Sequence, residues 1–130
     1  MSMDPLAFIY DRCASRGATA RSQLDMRLTA CRAYADRMRW VLAGPGWIDR
    51  GADALATQRP ELAEVLAGIQ TAAGPREVIC LVHDWGRLAT DDTHRLRLQE
   101  RIVDAGGYTV TTFGESDRAS ARAVLVGRGA

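Results

Sequence analysis

Arginine supplies every cationic side chain of this chain, and guanidinium groups are well suited to binding phosphate. The sequence has 17 basic residues, and none of them is lysine. The planar guanidinium meets two phosphate oxygens at once and stays charged at any working pH. Selection for phosphate contacts would explain this usage, but so would the codon bias of a GC-rich genome, which we favour. Composition alone leaves both explanations open.

A histidine and an aspartate directly follow the most apolar segment. Residues 78–82 read Val-Ile-Cys-Leu-Val, and His83 and Asp84 come next. Ligands of α/β sheets bind beyond the carboxyl ends of the strands, so the pair is a candidate for hydrolytic or metal chemistry. Either role needs a third partner, and only Cys13 or His94 suggests itself. We favour a structural His–Asp pair and expect neither a metal nor another cofactor.

The three cysteines give no sign of a metal or disulfide framework. Cys13, Cys31 and Cys80 are odd in number and widely spaced, and no CxxC pair occurs. Cys31 and Cys80 fall on apolar faces and are expected to be buried. The sequence shows no signal peptide and no apolar run long enough to cross a membrane. We expect a cytoplasmic protein without membrane contact.

Length and composition indicate one globular domain. The chain has 130 residues, of which 47% are hydrophobic and 25% charged, close to globular averages. A net charge of +1 gives no overall attraction to nucleic acid. We expect a single domain over 1–130, with a core over 6–113 and a short C-terminal helix or tail over 114–130.

The first half of the chain alternates between strand and helix patterns. Leu6–Tyr10 is continuously apolar and predicts a buried strand, followed by a loop over 11–22. Apolar residues at helical spacing then predict a one-sided helix; they are Leu24, Leu28, Cys31, Ala35 and Met38. Residues 40–43 predict a weak second strand before the Gly44-Pro45-Gly46 turn, and 49–58 a loop.

The second half continues the alternation. Pro60 suits the first position of a helix that ends before Gly74-Pro75, and 77–82 predicts the central strand of a parallel sheet. Thr90, Asp91 and Asp92 are good caps for a further helix, which Gly106-Gly107 ends. That helix is expected to bury some combination of Leu96, Leu98, Ile102 and Val103, and residues 108–112 predict a fourth strand.

This order of elements predicts a three-layer α/β fold. A mainly parallel sheet of four or five strands carries helices on both faces. Leu6–Tyr10 and Val78–Val82 are expected to be neighbouring inner strands, because their unbroken apolar runs need cover on both sides. Ser116-Asp117 could cap a short helix through Val126.

Short motifs in a fixed order carry a resemblance to a known family. They are Tyr10-x-Arg12, the Leu24-Asp25 helix start, Asp49, Arg59-Pro60-x-Leu62, the 78–82 strand and Gly86-Arg87-Leu88. Over roughly 8–113 the chain resembles the catalytic domain of serine recombinases, the resolvase and invertase family. There the matching positions carry Tyr-x-Arg-x-Ser, a helix with an active-site Gln, Asp, Arg-Pro-x-Leu, a hydrophobic strand and Asp-Arg-Leu-x-Arg. The resemblance implies a resolvase-like fold and a family chemistry in which a serine attacks a DNA phosphodiester.

Four positions of that implied site are altered. Ala14 stands where the family has its serine nucleophile, and Arg27 replaces the glutamine. Gly86 replaces the aspartate and Thr90 the second arginine of the last motif. A methyl group cannot attack phosphorus, and losing a nucleophile alone costs on the order of 10⁶ in turnover. The resemblance therefore implies a catalytically degenerate domain in which no catalytic residue is intact.

Three family arginines are kept, and the resemblance implies that Arg12, Arg59 and Arg87 form a phosphate- or DNA-binding cluster near Ala14. The alternative is that they are exposed arginines in an arginine-rich protein. Ser15 is a second possible nucleophile if the loop has gained one residue. A one-residue step at a strand end turns the side chain to the opposite face, which argues against it.

The resemblance also implies what would follow the domain. Recombinases continue into a long dimer-forming helix and a DNA-binding domain, whereas only 115–130 remain here. Our first interpretation is a regulatory module that binds DNA, another phosphate-bearing ligand, a protein partner or a second copy of itself. The alternatives are an active recombinase fragment that uses Ser15 and a pure protein-interaction domain with a vestigial site.

Overall fold

The computed structural model describes residues 3–54 and 59–121, and within them five parallel strands form one sheet. The strands are β1 (Leu6–Cys13), β2 (Val41–Leu42), β3 (Trp47–Arg50), β4 (Val78–Val82) and β5 (Tyr108–Thr111). The helices are α1 (Ala18–Arg37), α2 (Pro60–Ala72) and α3 (Asp92–Ala105), and short 3-10 helices span Gly51–Ala54 and Trp85–Arg87. The strand order is β2-β1-β4-β5, and β3 pairs with β1 beyond β2.

The two most apolar strands lie side by side at the centre, as predicted. Leu6 of β1 is in register with Val78 of β4, and Ile9 with Leu81. All five residues of β4 are buried, because the sheet is covered on both faces. Since every strand pair is parallel, the three-layer α/β fold predicted from the sequence is confirmed.

Alternate residues of β1 face two separate cores. Ala7 and Ile9 pack with the apolar side of α1, whereas Phe8 and Tyr10 pack with residues of α2 and α3. This follows from the two-residue period of a strand. The same alternation continues to the end of β1, where it determines which polar side chains can meet.

The helix boundaries have local causes. Pro60 is the first residue of α2, where its missing N–H costs nothing. Asp91 caps α3, and its carboxylate accepts a hydrogen bond from the backbone N–H of His94 at 2.8 Å. Gly106 ends α3 in the left-handed conformation, with φ of 109°. The ends predicted for these two helices from proline, aspartate and glycine are thus observed.

Two predicted loops are wrong because pairing between strands overrides local composition. Residues 11–13 extend β1, since β3 pairs with them: Arg12 is in register with Asp49 and Cys13 with Arg50. β3 was not predicted, because its four residues lack an apolar run. α1 begins at Ala18 rather than at Leu24, since its first turn contains good helix formers without an apolar stripe.

Two residues assigned to buried stripes are exposed. Met38 is 46% exposed and lies just past the end of α1, and Leu96 is 54% exposed on the outer side of α3. Leu98, Ile102 and Val103 form the buried side of α3. The C-terminal helix predicted to begin near Ser116-Asp117 is seen over residues 118–121, and its predicted continuation to Val126 lies outside the described residues. No helix in 3–54 or 59–121 could span a membrane.

Gly107 should be intolerant of a side chain. A Cβ there would lie 2.9 Å from the carbonyl oxygen of Val78 and 2.9 Å from Cγ2 of Ile69. Since the carbonyl belongs to a central strand that cannot easily shift, we expect Gly107→Ala to lower the free energy of unfolding by about 1–3 kcal/mol. Urea denaturation measures this, and an unchanged midpoint would contradict the packing described here.

Candidate functional site

The candidate site lies beyond the carboxyl ends of β1, β3 and β4. Ala14 and Ser15 are exposed and follow directly after β1, where the chain leaves the sheet before α1. The turn after β4 carries His83 to Thr90 and passes beside the end of β1. Because the strands are parallel, their carboxyl ends share one edge, and the loops from each meet there.

Arg12 connects the end of β1 to the turn after β4. Its Nε donates to the carbonyl oxygen of Gly86 at 2.8 Å, and its Nη2 donates to Oγ1 of Thr90 at 2.9 Å. Its Nη1 reaches the carbonyl oxygen of Ala54 at 3.4 Å. Gly86 and Thr90 are two of the four positions where the sequence departs from the recombinase pattern, but only the bond to Thr90 uses a replaced side chain, because Gly86 contributes its backbone carbonyl.

Arg87 lies in the turn after β4 and contacts the end of β1. Its Nη1 donates to the carbonyl oxygen of Arg12 at 3.0 Å and lies 3.6 Å from Oδ1 of Asp11. Its Nε is 3.7 Å from Oδ1 of Asp84, too far for a hydrogen bond. Within the described residues this buried Nε has no hydrogen-bond partner. Arg87 therefore keeps one donor that the protein does not satisfy.

Arg59 is buried rather than exposed. It is 4% accessible, and its Nη1 donates to the backbone carbonyl of Leu88 and contacts the hydroxyl of Tyr10 at 3.5 Å. The view of Arg59 as one of several exposed arginines is therefore wrong. Its contacts connect β1, through Tyr10, to the turn after β4, through Leu88.

Arg12 lies close enough to Arg59 and Arg87 for their charges to act on it. The pKa of Arg12 is lowered by burial and then by the charges of Arg59 and Arg87. Nearby like charges disfavour the charged form. The structure thus places Arg12 near both other arginines selected from the sequence, while Asp11 and Asp84 lie 3.6 and 3.7 Å from the Arg87 guanidinium.

A buried ion pair that sequence reasoning missed lies beside this cluster. Asp11 is 1% exposed, and Arg27 of α1 binds both of its oxygens, with Nε–Oδ2 at 2.8 Å and Nη2–Oδ1 at 2.9 Å. The hydrogen bond to Asp11 raises the pKa of Arg27. The sequence contained a signal for this pair. Asp11 shares the parity of Ala7 and Ile9 in β1 and so faces α1, the helix that carries Arg27.

Asp49 anchors α2 to the site. Its carboxylate accepts hydrogen bonds from the Tyr10 hydroxyl at 2.8 Å and from the backbone N–H groups of Glu61 and Leu62 at 2.9 and 3.1 Å. Burial raises the pKa of Tyr10, so the phenol stays protonated and donates. The aspartate therefore satisfies free N–H groups in the first turn of α2.

His83 and Asp84 form the pair expected from the sequence. Nδ1 of His83 lies 2.7 Å from Oδ2 of Asp84. Burial opposes ionisation of Asp84, but the bond from His83 and the charge of Arg87 outweigh it and lower the pKa of the carboxylate. No group of metal-binding side chains occurs in the described ranges, and neither Cys13 nor His94 has a recorded contact with the pair.

Ser15 opens onto a different space from the arginine cluster. It lines a cavity with Cys13, Arg16, Gly17 and other residues from the start of α1 and the end of β3. Arg12, Arg59 and Arg87 are all missing from the described lining of this cavity. Ser15 was expected on the face opposite Ala14 because of the alternation along a strand, but both residues lie past the end of β1, in irregular backbone.

Solved structures of similar fold include an integrase catalytic domain and two recombinases. The N-terminal catalytic domain of TP901-1 integrase matches with a TM-score of 0.73 and 18% identity, over 95% of this chain and 90% of that chain. A resolvase family site-specific recombinase from Streptococcus pneumoniae matches with a TM-score of 0.71 and 15% identity, over 98% and 89%.

A third structure of similar fold is also a catalytic domain. The C-terminal catalytic domain of IS1535 TnpA, an IS607-like serine recombinase, matches with a TM-score of 0.60 and 20% identity, over 82% of this chain and 70% of that chain. At such low identities these likenesses show a shared fold alone. No curated protein matches the chain. The Resolvase N-terminal domain family matches residues 7–126, so the chain belongs to the resolvase family and has the fold of a serine recombinase catalytic domain.

Proposed function

We propose that this domain binds a backbone phosphate of DNA at the arginine cluster and does not cleave it. The ligand class follows from the family, whose chemistry is directed at DNA phosphodiesters. The observation that carries the proposal is that Arg12, Arg59 and Arg87 all contact the strand ends and the turn after β4, where the charges of Arg59 and Arg87 act on Arg12. A phosphate oxygen would accept from the exposed part of the Arg87 guanidinium, and its charge would offset part of the repulsion that acts on Arg12.

The three arginines have different parts in this proposal. Arg87 is the ligand-binding residue, because its side chain is 26% exposed, whereas Arg59 is buried and Arg12 donates to three protein oxygens. Arg12 contributes charge, while Gly86 and Thr90 accept its hydrogen bonds. Arg59 positions the turn after β4 through the Leu88 carbonyl. Because Arg87 alone contacts the phosphate, we expect weak binding, which is typical of a regulatory rather than a catalytic contact.

The proposal that the domain does not cleave DNA is based on the residue at the nucleophile position. Ala14 has no atom that can attack, and Arg12, which would have to stabilise charge on the phosphate, already donates to protein groups. A transition state gains from donors that are free and aimed at the developing charge. Restoring a hydroxyl would leave those donors occupied.

The active-enzyme alternative requires Ser15 to reach the same phosphate. Ser15 instead lines a cavity that contains none of the three arginines in its described lining. A nucleophile must stand within about 3.5 Å of the reacting atom in a productive complex. Ser15 would need the loop before α1 to rearrange, so we rank this alternative second.

A titration with a short DNA duplex at several salt concentrations tests the proposal. Because binding neutralises phosphates, the logarithm of the affinity should fall linearly with the logarithm of salt, with a slope of roughly −0.9 per phosphate contact. We expect a shallow slope that corresponds to one or two contacts. Absence of any binding at low salt would contradict the proposal and favour the protein-interaction domain.

A further inference from the structure

We propose that the cavity on the other side of the β1 end is a second phosphate-binding site, built by Arg16, Arg21 and Arg50. The cavity has a volume of about 460 Å³ and lies between the loop after β1, the start of α1 and the turn after β3. It is separate from the arginine cluster and does not depend on the function proposed for that cluster.

The register of β1 and β3 explains why two sites exist at one strand end. Cys13 pairs with Arg50, and Arg12 pairs with Asp49. Paired residues of adjacent strands point to the same face, and successive residues point to opposite faces. Cys13 and Arg50 therefore contribute to one face, while Arg12 and Asp49 contribute to the face that carries α2.

The cavity carries an excess of positive charge. Its described lining contains three arginines and a single carboxylate, that of Asp53. Over 3–54 and 59–121, the guanidinium groups of Arg16, Arg21 and Arg50 make no hydrogen bond or ion pair, in contrast to those of the cluster. The Arg16 side chain reaches across to the turn after β3: its Nη2 would lie 3.9 Å from a Cβ placed on Gly51.

The start of α1 adds to the attraction for an anion. α1 has 20 residues, its N-cap Gly17 provides no side-chain hydrogen bond, and its first turn contains no acidic residue. The free N–H groups and the helix dipole therefore favour negative charge there. They act together with the three guanidinium groups, each of which can donate two parallel hydrogen bonds to phosphate oxygens.

The size of the cavity indicates the class of ligand. It is larger than a single phosphate group, so we infer a phosphate carried on a larger molecule. A free nucleotide and the backbone of a polynucleotide present the same group, and both could supply it. A polynucleotide bound by both sites would pass around the end of β1.

Cys13 allows the proposal to be tested without knowing the ligand. It is half-buried and lines the cavity, whereas Cys31 and Cys80 are 1% and 0% exposed. The experiment compares how fast an anionic and a cationic methanethiosulfonate reagent label the intact protein. Since charged clefts concentrate ions of opposite sign, we expect the anionic reagent to be favoured by about tenfold at low salt.

Matched variants separate this cavity from general surface charge. Arg16→Gln and Arg21→Gln together should remove the preference for the anionic reagent, whereas Arg32→Gln on α1 should retain it. The substituted residues are exposed, so the fold should survive, and thermal unfolding checks this. Equal labelling by both reagents in the wild type would overturn the proposal, as would a preference that persists in the double variant.

Protection of Cys13 identifies the source of the phosphate. Inorganic phosphate, a mononucleotide and a short oligonucleotide are each added before the anionic reagent. Protection by the mononucleotide supports a nucleotide site, and protection by the oligonucleotide alone supports a backbone site. No protection by any of the three would overturn the proposal. Because the readout is labelling of Cys13, this site and the Arg87 site can fail independently.

Discussion

Replacing Arg27 by methionine should destabilise the domain by about 3 kcal/mol, because it leaves a buried carboxylate without its main partner. Asp11 is 1% exposed and receives two hydrogen bonds from Arg27. The nearest remaining cation is Arg87, at 3.6 Å. Methionine retains much of the apolar stem, so the lost stability reports the ion pair rather than packing. Chemical denaturation gives the change in the free energy of unfolding.

A double-mutant cycle shows whether the pair is the cause. Asp11→Asn combined with Arg27→Met removes the buried charge and should recover much of the loss. Arg32→Met is the matched control, since Arg32 is exposed on the same helix and should change stability by less than about 0.5 kcal/mol. A loss in the double variant equal to that of Arg27→Met would show that the buried charge is not responsible.

Replacing Arg87 by glutamine should weaken binding of a DNA duplex by tenfold or more. A hydrogen bond to a charged group contributes about 1.5–3 kcal/mol, and this variant removes the partly exposed guanidinium that is proposed to contact the phosphate. The salt slope should also become shallower by about 0.9, the value of one phosphate contact. Titrations of wild type and variant at several salt concentrations measure both effects.

Arg97→Gln is the control for net charge. Arg97 is exposed on α3, so this variant loses the same charge without touching the cluster. Because Arg87 also approaches Asp11 and Asp84, thermal unfolding must show that Arg87→Gln remains folded at the assay temperature. Equal affinities for the two variants would mean that Arg87 makes no specific contact with phosphate.

Sequence reasoning predicted the parts of the fold that depend on one segment at a time. The unbroken apolar run of Val78–Val82 indicated a strand buried on both faces, and it lies at the centre of the sheet. Pro60 and Gly106 marked the start of α2 and the end of α3 because their backbone preferences are local. The family motifs were informative because their order matched this alternation of strands and helices.

The parts that were wrong depend on contacts between distant segments. β3 exists because Asp49 and its neighbours pair with the polar end of β1, and no local pattern reveals such a partner. The pairing of Asp11 with Arg27 joins residues 16 apart in sequence. The sequence located the three arginines, but only the geometry distinguishes the buried Arg59 from the partly exposed Arg87.

A search for a protein–DNA adduct tests most directly whether the domain binds phosphate without cleaving it. Wild type, Ala14→Ser and Ser15→Ala are each incubated with supercoiled plasmid, and protein attached to a 5′ phosphate is sought. We expect no adduct from any of them, because groups that act as a unit regain little when one member is restored. An adduct formed by the wild type and lost in Ser15→Ala would show instead an active enzyme with a shifted nucleophile.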